Sequence, residues 1–168
     1  RINMVRKMVL YLTAALMGML AAVALSAVFT VTSVTGSGME PAVKNGENIL
    51  INKLAYKSFT SEKPQVGDVV AFGSDVHGEE GEGSVLVRRV AGGPGDKVEI
   101  KDDIFYLNDK PYEKHMVEAV HMEPMGEVTL GKDEIFVLSD DRSSSMDSRN
   151  EAIGIIDIGE CIGKVCFH

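Results

Sequence analysis

Val34-Thr35-Gly36-Ser37-Gly38-Met39-Glu40-Pro41 joins two unlike parts of the chain. Ahead of it, Met8 to Val31 (MVLYLTAALMGMLAAVALSAVFTV) carries no charged residue. As a helix these 24 residues extend about 36 Å, against a hydrocarbon core of about 30 Å. Arg1, Arg6 and Lys7 precede the run, and no Lys or Arg follows until Lys44. The positive-inside rule then predicts a single-pass anchor with its N-terminus in the cytoplasm and everything after residue 35 outside. A cleavable signal peptide is the alternative, since Ala24-Leu25-Ser26 has small residues at an acceptable spacing. The apolar run continues past that point to Val31, which fits a retained anchor better.

The division expected is therefore residues 1–33 as basic tip and transmembrane anchor, with the bilayer crossed by residues 8–31, and residues 34–168 as one extracytoplasmic domain. Without Arg1, Arg6 and Lys7, the chain holds 14 Lys+Arg against 25 Asp+Glu, a net charge of −11. So acidic a domain is a poor nucleic-acid binder, and its charge reads as solubility. Cys161 and Cys166 would lie about 16 Å apart along a strand, too far to pair. No Cys or His spacing suggests a metal site, and no cofactor is expected.

Beyond Pro41 the chain reads as short β-rich segments divided by Gly, Asp, Asn and Pro. They are Ile49–Ile51, Val69–Phe72, Val85–Val90, the alternating Val98 and Ile100, Ile104–Leu107, Ile135–Leu138 and Ile162–Phe167. Asn108-Asp109 is a hairpin turn signal. Residues 73–84 (GSDVHGEEGEGS) and Pro111–Gly131 read as exposed loops, with a weak helical turn near Tyr112–Val120. The class expected is mainly β with long loops behind one N-terminal helix.

Four segments, in order, resemble the motifs of the type I signal peptidases. They are the Val34–Pro41 run; Val66-Gly67-Asp68-Val69-Val70-Ala71-Phe72; Val87-Arg88-Arg89-Val90-Ala91-Gly92-Gly93-Pro94-Gly95-Asp96; and Ser139-Asp140-Asp141-Arg142-Ser143-Ser144-Ser145-Met146-Asp147-Ser148-Arg149. The resemblance implies that the residue before Met39 is the serine nucleophile position and the first residue of the Arg88-Arg89 pair the lysine base position. This chain has Gly38 and Arg88 there. It also implies a supporting scaffold: Ser37, Met39, Pro41, Arg89, Asp140, Arg142, Ser145 near the base, and an Asp147–Arg149 ion pair.

A Ser/Lys protease needs a hydroxyl nucleophile and an amine that can lose its proton near neutral pH. Glycine has no side chain, and a guanidinium stays protonated. Arg88 buried at the base position would need a carboxylate or water; otherwise it points to solvent from a half-exposed strand. Ser37, one residue early, would face the other way on an extended segment and would need a distant base such as His77. One lost residue could be an engineered change, whereas two point to a natural pseudoenzyme. By resemblance the chain is an inactive, membrane-anchored signal peptidase homologue of the bacterial cytoplasmic membrane. It would bind exported protein segments, pilins in pilus assembly among them. The alternative is an active signal peptidase I, a serine endopeptidase that cleaves signal peptides from exported preproteins.

Overall fold

In a computed structural model, residues 2–73, 85–144 and 146–167 are described. Among the described residues, one α-helix, α1 (Ile2–Val28), is followed by eleven strands, with a short 3-10 turn at Ile158–Glu160 before the last: β1 Phe29–Ser33, β2 Asn48–Asn52, β3 Val69–Gly73, β4 Val85–Gly92, β5 Lys97–Lys101, β6 Ile104–Leu107, β7 Lys110–Pro111, β8 Met125–Thr129, β9 Glu134–Leu138, β10 Ile156–Asp157 and β11 Cys161–Phe167. The protein is mainly β. A seven-stranded sheet has the order β1-β2-β11-β3-β4-β9-β10, and a four-stranded one the order β7-β6-β5-β8. The pairings are antiparallel.

The apolar run ending at Val31 is shared between two elements. The helix stops at Val28, and Phe29-Thr30-Val31-Thr32-Ser33 pairs with β2, Phe29 opposite Asn52. A β-branched, aromatic stretch favours the pleated edge of a sheet over another helical turn. Of the helix, Asn3–Val28 is long and apolar enough to cross a bilayer, and none of its most apolar window is buried.

β3 and β9 read as continuous apolar runs rather than alternating ones because the sheet is covered on both faces. Val70, Phe72, Leu86, Val90, Ile135 and Val137 pack on one side. On the other, Ala71 and Val87 meet Val34, Met39, Val43, Ile49 and Ile51. Near the four-stranded sheet, Phe136 and Leu138 join Val98, Ile100 and Phe105. Phe105 and Phe136 stack at 5.5 Å between ring centroids. Each such side chain, fully buried, contributes about 1.5–3 kcal/mol.

The Asn108-Asp109 turn forms as read, both residues at positive φ, and Asp102-Asp103 makes the same kind of turn between β5 and β6. The Pro111–Gly131 segment differs from its reading as a loop. Met125–Thr129 pairs with β5, and Met122 and Leu130 are buried. Gly126 and Glu127 interrupt the apolar alternation there, so the strand is legible only through its partner. Tyr112–Val120 forms no helical turn. The expected 73–84 loop, with His77, and Ser145 lie outside the described residues, apart from Gly73 at the end of β3.

Candidate functional site

The chain leaving β1 is held by its own turns. Val34 N donates to Glu47 O at 2.9 Å, and Gly46 N to Val34 O at 2.7 Å. Gly36, at φ 97°, takes a conformation glycine allows at little cost, and its N–H donates to Asn45 Oδ1 at 3.1 Å. Met39 and Val43 sink into the core below, linked by Val43 N to Met39 O at 2.9 Å. Gly38 is thereby buried, while Ser37 and Glu40 stay exposed and Pro41 lines a neighbouring cleft.

The structure brings Gly38 and Arg88 together. A Cβ on Gly38 would lie 3.3 Å from both Cζ and Nη2 of Arg88, and 3.1 Å from Ser144 Oγ. The Gly38 carbonyl accepts from Asp141 N at 3.0 Å, which ties the first quoted motif to the fourth. Arg88, on β4, is 1 % exposed, so it does not point to solvent as the half-exposed alternative would have it. Its Nε donates to Met146 O at 2.8 Å and its Nη1 to Val87 O at 2.7 Å. Carbonyl oxygens thus take part of the load of a buried charge.

Arg89 leans the other way. Its Nε and Nη2 grip both oxygens of Asp140 at 2.7 Å, and Nη1 donates to Gly67 O at 2.9 Å. A bidentate, largely buried pair of this kind locks β4 to the end of β9. Asp147 is wholly buried and accepts from Ser139 N and Oγ at 2.9 Å, and from Arg149 N, Nε and Nη2 at 3.1, 2.9 and 2.7 Å. Arg149 also donates to the carbonyls of Arg142 (2.9 Å) and Ser144. Arg142 is buried and donates through Nη1 to Ser139 O; its Nε has no partner among the described residues, and burial pushes its pKa down.

Ser144, Met146, Ser139 and Ser148 had no role in the sequence reading. Ser144 brings its hydroxyl to Gly38, Met146 a carbonyl to Arg88, Ser139 two donors to Asp147, and Ser148 a hydroxyl that accepts from Val137 N at 2.9 Å. Their only sequence signal was membership of the Ser139–Arg149 run. Backbone groups do much of this work, and one residue type does not announce where its carbonyl points.

Two openings adjoin the site. Beside Arg89 and Asp140 lies a cleft of about 460 Å³, walled by Pro41, Ala42, His115, Met116 and Val117. Burial, aided by the Arg89 charge, holds the His115 pKa below its ordinary value. Along β4, the pairing with β9 begins only at Arg89, so on that side Val85–Val87 have no strand partner among the described residues. Among those residues no group of three or more His, Cys, Asp or Glu could hold a metal ion.

A family model described as "Signal peptidase, peptidase S26" matches residues 4–168. Signal peptidase IB of Staphylococcus aureus (strain Mu50 / ATCC 700699) is 32 % identical over 159 residues, covering 84 % of this chain and 78 % of that protein. Signal peptidase I of Bacillus caldolyticus is 32 % identical over 155 residues, covering 84 % and 79 %. A solved signal peptidase I from Enterococcus faecalis V583 has a TM-score of 0.49 at 25 % identity, covering 64 % of this chain and all of that one.

Proposed function

The chain belongs to the signal peptidase family, peptidase S26, and from that premise we propose that it is a membrane-anchored member that binds extended segments of exported proteins without cutting them. Residues 34–168 stand outside the membrane, held by the N-terminal helix with its basic end in the cytoplasm. The observation that carries the reading is the adjacency of Gly38 and Arg88. No hydroxyl stands on Gly38 to attack a carbonyl. The nearest side-chain nitrogen belongs to a guanidinium, which does not give up its proton. Ser37, one residue earlier, is exposed while Gly38 is buried.

Binding needs less than catalysis. An extended peptide can add to a free strand edge through main-chain hydrogen bonds. Among the described residues Val85–Val87 have no partner on the β9 side of a strand anchored by the Arg89–Asp140 pair; half-buried Val85 is the accessible end of that stretch, since Val87 is buried and its carbonyl already accepts from Arg88 Nη1. Exported proteins crossing the bilayer next to the anchor are the class of partner that meets it first, and pilin-like segments in pilus assembly are one instance.

The names of the relatives favour a second reading, an active signal peptidase. Incubating the purified full chain in detergent with a preprotein distinguishes the two. The expected result is capture of the exported segment with no cleavage. Cleavage that survives replacement of Gly38 but is lost on replacement of Ser37 would overturn the proposal.

A further inference from the structure

Arg89, Arg149 and Arg142 are three buried or nearly buried arginines around the site, and the first two use the same edge. Arg89 grips Asp140 through Nε and Nη2, and Arg149 grips Asp147 through Nε and Nη2. This edge of a guanidinium presents two parallel N–H donors that match the two oxygens of a carboxylate. Arg142, only 4 % exposed, leaves the edge unused. Its Nη1 donates to Ser139 O, while Nε has no partner and Nη2 makes no hydrogen bond among the described residues. Asp140 and Asp147 are already taken by the other two arginines. Asp141, its chain neighbour, is turned to Ser143, accepting from N and Oγ at 2.9 and 2.6 Å. A guanidinium keeps its charge, and burying that charge without an anion is costly.

The surroundings of Arg142 have room for the missing partner. A hollow of about 330 Å³ is lined by Arg142, Arg149 and Asn150, with Val120 and Met122 as its apolar wall. At its rim His121 Nε2 lies 3.4 Å from Glu123 Oε1, both side chains exposed. A smaller hollow of about 210 Å³ also touches Arg142, but Asp102, Asp103 and Glu113 line it. Three carboxylates disfavour an anion there. In the larger hollow two guanidiniums face one exposed glutamate, and its volume suits a group of amino-acid size.

We propose that the larger hollow is a carboxylate-binding site. The carboxylate lies across the Nε–Nη2 edge of Arg142, and an apolar group attached to it packs on Val120 and Met122. The ligand is an acid of amino-acid size, either a free acyl-amino acid or the last residue of a peptide. Occupancy is felt at Gly38, because the same segment reaches it. Asp141 N, one residue before Arg142, donates to Gly38 O at 3.0 Å, and Arg149 donates to Ser144 O. The inference stands apart from whether the Gly38 site cuts or only binds.

Isothermal titration calorimetry on the purified full chain in detergent tests it. The probes are N-acetyl-leucine, N-acetyl-leucinamide, the peptide Ala-Ala-Ala-Leu with a free or an amidated C-terminus, and inorganic phosphate. The expected result is saturable binding of the two free acids and none of the two amides. Arg142→Lys keeps the charge but removes the edge, and a loss of about tenfold or more in affinity is expected. Val120→Trp, at a half-buried position, narrows the hollow and should have a similar effect, and it serves alone if Arg142→Lys fails to fold. Tighter binding of the peptide acid than of N-acetyl-leucine would identify a chain terminus as the ligand, and equal binding a small acid. Absence of binding by either acid, equal binding of acid and amide, or tighter binding of phosphate would overturn the carboxylate site. Acid binding that both variants leave unchanged would overturn its placement at Arg142, and loss in Arg142→Lys alone its placement in this hollow.

Discussion

At the scale of single residues, the site is a set of charges that have traded water for fixed partners. Arg88 is the most telling. Its guanidinium sits where a side chain on Gly38 would have to grow, so glycine and arginine fit each other sterically as well as standing in the two positions flagged by resemblance. Gly38→Ser is expected to remain inactive in a preprotein cleavage assay, because the neighbouring base is absent. Crowding Arg88 and Ser144 should also lower stability by about 1 kcal/mol, toward the mild end of overpacking costs. Only Gly38→Ser combined with Arg88→Lys supplies both a hydroxyl and an amine able to deprotonate, so cleavage is expected in the double variant or in none. Asp147→Asn tests the other half of the site. It removes the buried charge that faces half-buried Arg149 and weakens five accepted hydrogen bonds, at a cost of about 3 kcal/mol. A urea titration followed by circular dichroism would read this as a clear fall in midpoint with an unchanged slope.

At the scale of elements, β11 is the strand on which the large sheet depends, lying between β2 and β3. Gly163 is where it approaches closest. A Cβ there would sit 2.1 Å from the carbonyl oxygen of Asn52, which is backbone and cannot step aside. Gly163→Ala is therefore expected to destabilise by about 1–3 kcal/mol or more and to lower the thermal midpoint markedly. The two thiols at either end of this strand should behave differently. Cys161 is buried, and its pKa is pushed up to about 11, chiefly by desolvation. It therefore stays protonated at pH 8.5 in the native state, while the half-buried Cys166 is more accessible. Alkylation at that pH followed by mass spectrometry should modify Cys166 first and Cys161 only on unfolding. The same scale explains the misread segment. Strands such as Ile135–Leu138 declare themselves by composition, whereas Met125–Thr129 does so only by pairing with Lys97–Ile100.

At the scale of the whole molecule, the chain is a sheet domain that follows one apolar helix, with Gly38 ten residues beyond that helix and Arg88 brought to it from β4. If the basic end is inside, protease added to intact spheroplasts should digest residues 34–168 and leave the anchor; full protection would place the domain in the cytoplasm. What the sequence by itself determined was whatever depends on local composition. The uncharged length of the helix, most of the strands, the Asn108-Asp109 turn, and the absence of a hydroxyl at Gly38 and of a deprotonatable amine at Arg88 are all of this kind, because each is a property of a few adjacent residues. Only the tertiary structure decided that Arg88 is buried against Gly38, that Arg89 turns instead to Asp140, that Ser144 and the Met146 carbonyl complete the site, and that Lys53 bonds the last carbonyls of the helix. Those facts depend on register between strands far apart in the chain. A one-residue shift in register exchanges the faces of a strand, so side-chain contacts across a sheet exist only once the pairing is made.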